Sequence, residues 1–129
     1  MEEKKTINSY KDLIVWQKAM DLVVLVYSMT EGFPKAEIYC LTSQMRRCAV
    51  SIPSNIAEGI GRNHAKDTIQ FLYTSRGSLY ELETQLFISF DLNYLNEGTL
   101  ENVFISCNQV GKLLAGFINY YESKLVTKD

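Results

Sequence analysis

Two prolines and seven glycines are all that punctuate 129 residues, so few positions force a helix to stop. Alternation of apolar and polar residues over a useful length is missing too, and with it any strand pattern that could compete with helix. The single histidine, His64, argues against a di-iron carboxylate bundle, which takes a Glu with a His three residues later on each of two helices. It also leaves a serine or cysteine nucleophile only one imidazole to serve as base. Three cysteines, Cys40, Cys48 and Cys107, are odd in number, widely spaced and set in helical patterns, which fits reduced core thiols rather than a disulfide framework or a zinc site. No glycine-rich phosphate loop follows a strand; Gly59 and Gly61, flanking Ile60, read as a helix terminus. An excess of positive charge is absent: 13 Lys and Arg stand against 15 Asp and Glu, for a net charge of -2, which is not the field of a general nucleic-acid binder. Leu13 to Met29 is greasy, yet Gln17, Lys18 and Asp21 interrupt it and argue against a membrane span. The MEEKKTINSY start lacks the apolar stretch of a signal peptide. These absences lead to the expectation of a cytoplasmic, non-enzymatic chain that needs no metal and no cofactor.

What is present is helix. With 47% hydrophobic residues the chain supports one packed domain, expected over 10–125 between short tails at 1–9 and 126–129. The first helix is expected from Ser9, as cap, with Asp12 completing a capping box, and Gly32, Phe33 and Pro34 end it. Its core stripe reads as Leu13, Trp16, Met20, Val24 and Tyr27, but Ile14, Val15, Leu22, Leu25, Val26 and Met29 fill most of the other side. A helix apolar nearly all round needs cover on more than one face, which predicts a protein partner, most simply further copies of the chain. The second helix is expected over about Ala36 to Gly61, with a kink at Pro53, whose ring costs about 3 kcal/mol or more in a straight helix. Ile38, Leu41, Met45, Cys48, Ile52 and Ile56 form its apolar stripe; Gln44, Arg47, Ser51, Asn55, Glu58 and Arg62 repeat along an adjoining face. Asn63 caps a third helix, with Asp67 in its first turn where the dipole favours an anion. Phe71, Leu72, Leu79, Leu82, Leu86 and Phe90 are its core stripe, and Ile69, Tyr73, Tyr80 and Phe87 a second one. Thr99 caps a fourth helix with the stripe Leu100, Val103, Phe104, Cys107, Val110, Leu114, Phe117 and Tyr121. Short loops join neighbours as antiparallel helices, so the fold class is all-α, an antiparallel up-down-up-down four-helix bundle.

Chemistry is sought in the polar groups that this packing turns inward: Arg46, Arg47, Glu58, Glu81 and Glu83. Counting back from the turn between the second and third helices places Arg46 and Arg47 level with Ser78 to Glu81. An Arg47–Glu81 or Arg46–Glu83 pair is therefore expected, as a register-fixing bond rather than a catalytic one. Arg62, His64 and Lys66 gather at that turn and Lys4, Lys5 and Lys11 at the amino terminus; these are the candidate contacts to nucleic-acid phosphates. Tyr73 and Tyr80 could stack on bases, but interleaved with Ile69 and Phe87 they read as a protomer interface. The candidate interface is Ile14, Leu22, Leu25, Val26 and Met29 with Ile69, Tyr73, Tyr80 and Phe87.

LIVWQKAMDLVVLVY, FPKAEIYCLTSQMRRCAVSIPSNIAEG and GSLYELETQL, in that order, resemble the bacterial four-helix-bundle proteins first noticed as reading frames inside intervening sequences of large-subunit ribosomal RNA genes. The resemblance covers about Tyr10 to Leu125. It implies a homopentameric ring of four-helix bundles, in keeping with the greasy first helix. It extends to the accessory proteins of diversity-generating retroelements, which are similar in fold and bind nucleic acid and a reverse transcriptase through a basic barrel surface; this chain departs from them in its acidic balance. On the shared pattern Arg46, Arg47, Ser51, Pro53, Asn55 and Glu58, with Ser78, Glu81, Glu83 and Thr84, occupy signature positions, and none of them is assigned a catalytic role. The expected function is that of an oligomeric helical bundle binding structured RNA or other nucleic acid through local basic patches. The alternative is a protein-interaction scaffold or adaptor ring that binds no nucleic acid.

Overall fold

The structure, a computed structural model, describes residues 9–126. Lys4, Lys5 and most of both expected tails lie outside the described residues. Four helices follow one another: α1 (Ile14–Thr30), α2 (Leu41–Ile60), α3 (Ala65–Asp91) and α4 (Glu97–Val126), with short 3₁₀ turns at Tyr10–Asp12 and Lys35–Glu37 and no strand among the described residues.

Each helix packs on the one before it, and α4 closes back on α1. Cross-helix contacts give the directions. Gly59 at the end of α2 meets Thr68 at the start of α3, while Met45 near the start of α2 meets Ser89 near the end of α3. Tyr73 reaches Glu122 and Phe87 reaches Phe104, so α3 and α4 also run oppositely. Arg46 reaches back to Thr30, and Trp16 shares a furrow with Ala57, which sets α1 against α2. The helices thus stand at the corners of a square, with the α1–α2 and α3–α4 seams on opposite sides.

Several helix starts differ from the sequence reading, each for a local reason. Ser9 Oγ does accept the Lys11 amide, at 3.0 Å, but it closes a 3₁₀ turn; Leu13 is extended (φ -85, ψ 129), so α1 begins at Ile14. Cys40 (φ -123, ψ -105) breaks the chain before α2, which therefore starts at Leu41 rather than Ala36. Glu37 Oε1 accepts the Leu41 amide at 3.1 Å, satisfying a donor that the helix cannot. His64, extended, precedes α3 in place of Asn63. Asn96 Oδ1 accepts the Thr99 amide at 2.8 Å, so the cap of α4 is Asn96 and not Thr99. The α3–α4 turn uses Asn93 at φ 64, a left-handed conformation that Asn tolerates better than most residues.

The core corrects the first helix most. Val15, Ala19, Leu22, Val26 and Thr30 face inward, whereas Val24 is 68% exposed and Met20 and Tyr27 also reach solvent. Leu13 alone of the expected stripe is buried outright. Leu22 and Val26, expected at an interface between copies, are 0% exposed within one chain. Ile69, expected there too, is buried as well. The other three helices keep most of their expected stripes, with Met45, Cys48, Ile52, Ile56, Leu72, Leu79, Leu82, Leu86, Val103, Cys107, Val110 and Leu114 all buried. Ile38 is exposed, because it precedes the break at Cys40.

Candidate functional site

The α2–α3 seam is the closest and most polar part of the bundle. Thr68 Oγ1 donates to the Gly59 carbonyl and Ser75 Oγ to the Ile52 carbonyl, each at 2.8 Å. Ser51 and Ser78 meet hydroxyl to hydroxyl at 2.9 Å, and Asn55 Nδ2 donates to Ser51 Oγ at 3.0 Å and to its carbonyl at 2.9 Å. Helices come this near only over small residues. A methyl added at Gly59 would stand 2.8 Å from the Phe71 Cβ and 3.3 Å from the Thr68 carbonyl oxygen. Pro53 is buried within the unbroken α2.

Neither expected inter-helix ion pair forms. Arg46 turns to α1, where Nε donates to Thr30 Oγ1 at 2.8 Å and the guanidinium lies 4.6 Å from the centre of the Tyr27 ring. Glu83 turns toward α4: partial burial raises its carboxyl from the ordinary value, and its charge bears on Cys107. Arg47 and Glu81 do line one groove, with Gln44, Cys48, Ser51 and Ser78, but they are not within ion-pair distance. Residues level along two antiparallel helices share a face only if their helical phases also agree, and for Arg46 the phase points to α1.

Burial first, then the Glu81 charge, pushes the Cys48 thiol up to about 11. Burial with Glu83 pushes Cys107 up to about 12. Both stay thiols near neutral pH and are poor nucleophiles. Cys40 is exposed, against the expectation of a core thiol. Among the described residues no three His, Cys, Asp or Glu side chains come together as a metal site would need. No helix there is long and apolar enough to cross a membrane.

Of the candidate basic residues, Lys11, Arg62, His64 and Lys66 lie at one end, since the Tyr10–Asp12 turn packs on α2 near Ala57, beside the α2–α3 turn. Lys11, His64 and Lys66 are exposed. Arg62 is engaged: it pairs with Glu58 at 3.7 Å and lies 4.7 Å from the centre of the Phe71 ring.

Apolar side chains reach solvent on two opposite sides. Trp16, Met20 and Val23 of α1 face Val50, Pro53 and Ala57 of α2 across one hollow of a furrow, and Val50 also borders a second hollow along the same seam, lined by Tyr27, Arg46 and Arg47. On the far side Tyr80 and Phe87 are 57% and 54% exposed, with Phe87 stacked on Phe104 at 4.8 Å and Ile105 nearby on α4. Ile14 is exposed, and Leu25 and Met29 are half-buried. Tyr73 is turned partly inward by its bond to Glu122 and by Arg76, 4.9 Å from its ring centre. The furrow residues Met20 and Val50, and the exposed Val24, were missed as surface, because on a helix apolar all round the pattern does not say which side is out. The one signal was the small stretch Pro53, Ser54 and Ala57, which leaves a hollow on the α2 wall.

The match to known proteins decides kinship. A model of the 23S rRNA-intervening sequence protein family matches residues 11–116. The chain belongs to that family. Among solved structures, a protein of unknown function from the S23 ribosomal protein family of Bacteroides thetaiotaomicron VPI-5482 is similar, with 21% identity and a TM-score of 0.73 over 81% of this chain and 98% of that one. At that identity the likeness supports the bundle fold alone. No curated protein matches the chain. In this member of the intervening-sequence family, the polar groove, the basic end and the two apolar sides are the candidate functional surfaces.

Proposed function

We propose that this intervening-sequence family member is a non-enzymatic cytoplasmic bundle that joins copies of itself into a homopentameric ring. The α1–α2 furrow of one copy takes the α3–α4 ridge of the next. The observation that supports this reading is the presence of two unlike apolar surfaces on opposite sides of one bundle. Unlike surfaces in head-to-tail contact generate a closed ring when the rotation per copy closes. The number five rests on the family resemblance. Light scattering on the purified protein is expected to return a mass near five chains, and a stable monomer would sink the proposal. Val50→Glu, in the exposed wall of the furrow, is expected to split the ring while helicity is kept; a ring that survives would place the contact elsewhere.

A nucleic-acid role is the second part of the proposal, favoured by the exposed Lys11, His64 and Lys66 at one end. A ring repeats that small patch around its axis and multiplies weak contacts through effective concentration. Anisotropy of labelled structured RNA, single-stranded RNA and duplex DNA, at two salt concentrations, tests it. Binding to RNA that weakens steeply with salt, and again in Lys66→Glu, is expected. No binding at low salt would leave the ring as a protein scaffold or adaptor.

A further inference from the structure

The α2–α3 side of the square lies between the two surfaces assigned to the ring, sharing Arg47 with one end of the α1–α2 furrow, and it carries a groove of about 490 Å³ whose walls are polar. Arg47 on one wall and Glu81 on the other are both exposed, and neither neutralises the other. Arg47 has one hydrogen bond, from Nη2 to Ser43 Oγ at 3.3 Å, which leaves most of its five donors unused. Glu81 bears on the Cys48 thiol and makes no ion pair. The floor is the Ser51–Ser78 hydroxyl pair. Ser51 Oγ already accepts from Asn55, so whichever serine donates to the other, one hydroxyl proton is left over at the groove. Behind Cys48, which it touches, Gln85 is 6% exposed and its Oε1 has no hydrogen-bond partner. Buried amide oxygens are nearly always bonded. Opposite charges held apart on facing walls, with spare donors between them, are complementary to a molecule that carries both charges itself.

We infer that the groove between Arg47 and Glu81 binds a small zwitterion, with a carboxylate on the Arg47 guanidinium and an ammonium on the Glu81 carboxylate, as a free amino acid would present them. The Ser51–Ser78 floor supplies one further hydrogen bond to the ligand carboxylate. A ligand with only one of the two charges leaves the opposite wall as it was, and so gains about half the charge-assisted bonding.

Saturation-transfer NMR on the full-length protein tests this with four probes: glycine, L-alanine, acetate and methylammonium. The two zwitterions are expected to bind saturably, with acetate and methylammonium each weaker by about tenfold. Arg47→Gln is expected to bring glycine down to the level of methylammonium, and Glu81→Gln to bring it down to the level of acetate. Both side chains are exposed, and an unchanged helical spectrum checks that each variant folds. Acetate binding as tightly as glycine would overturn the inference in favour of a plain anion site at Arg47. Absence of saturable binding, or glycine binding unchanged in both variants, would overturn it outright. The titration reads the groove and light scattering reads the ring, so either proposal can fail alone.

Discussion

The seam between α2 and α3 and the furrow between α1 and α2 share a helix but are built on opposite principles. In the seam, hydroxyls from α3 bond main-chain carbonyls of α2, and Gly59 lets Phe71 lie against its backbone. In the furrow, rings and methyls line a hollow that nothing among the described residues fills. The first is closed by bonds within one chain along its buried length, where the hydroxyls of Thr68 and Ser75 both have partners. The second is not, because apolar surface in water is stabilised only when something covers it. The difference teaches that this fold secures itself along one side and leaves apolar surface open on another, which is where the proposed association would take place.

The comparison is broken most severely at Gly59. Gly59→Ala places a methyl 2.8 Å from the Phe71 Cβ, and overpacking of this kind is expected to cost about 2–3 kcal/mol, read as a lower urea midpoint. An unchanged midpoint would mean that the seam is slack. Ser75→Ala comes next. Ser75 is fully buried and its hydroxyl donates to the Ile52 carbonyl, so a loss of about 1 kcal/mol is expected, whereas Ser54→Ala on the furrow side, where the residue is exposed, is expected to stay within about 0.5 kcal/mol. Equal losses would erase the distinction between the two sides.

Two smaller effects sharpen it through titration. Hydrogen bonds to Glu122 and to Glu37 raise Tyr73 and Tyr94 above the ordinary phenol value of 10.0. A folded-state pKa above the unfolded one contributes stability that is fully present below pH 10 and is lost as pH rises through the raised value. The melting temperature is therefore expected to hold between pH 7 and 9 and to fall above about 10, less steeply in Tyr73→Phe and in Tyr94→Phe. A fall that both variants keep in full would assign it to other groups. Smallest is a difference in thiol rates. Alkylation near pH 8 is expected to consume the exposed Cys40 first, with Cys48 at about 11 and Cys107 at about 12 reacting far more slowly. Three equal rates would show that the seam and core open freely.

Much of this was legible in the sequence, and for identifiable reasons. α4 shows its stripe because Asn, Gln, Lys and Glu separate the apolar residues, and Val103, Cys107, Val110 and Leu114 are buried as expected. The antiparallel course of α2, α3 and α4 follows from loops too short to carry the chain back along a helix. α1 was misread because hydrophobicity marks an inside only where there is contrast, and Val24 and Val26 are chemically alike while one is exposed and the other buried. The start of α2 was misread because Ala36, Glu37 and Ile38 continue the helical pattern across a backbone break that one residue, Cys40, imposes. The polar face of α2 was visible as a set, yet its partners were not. Periodicity assigns a residue to a face, but Arg46 meets Thr30 through a crossing of helices that lies outside any one helix.

The bonds of Thr68 and Ser75 end on main-chain oxygen atoms, and this divides mutational freedom unevenly between the two helices. An oxygen of the backbone is present whatever amino acid occupies Ile52, so α2 can change its side chain there and still offer the same acceptor. The hydroxyl has no such substitute. In a saturation mutagenesis library selected for folding, Ser and Thr should be enriched at positions 68 and 75 of α3, while α2 at position 52 should accept a range of apolar residues. A lineage that drifts will then keep its record on α3.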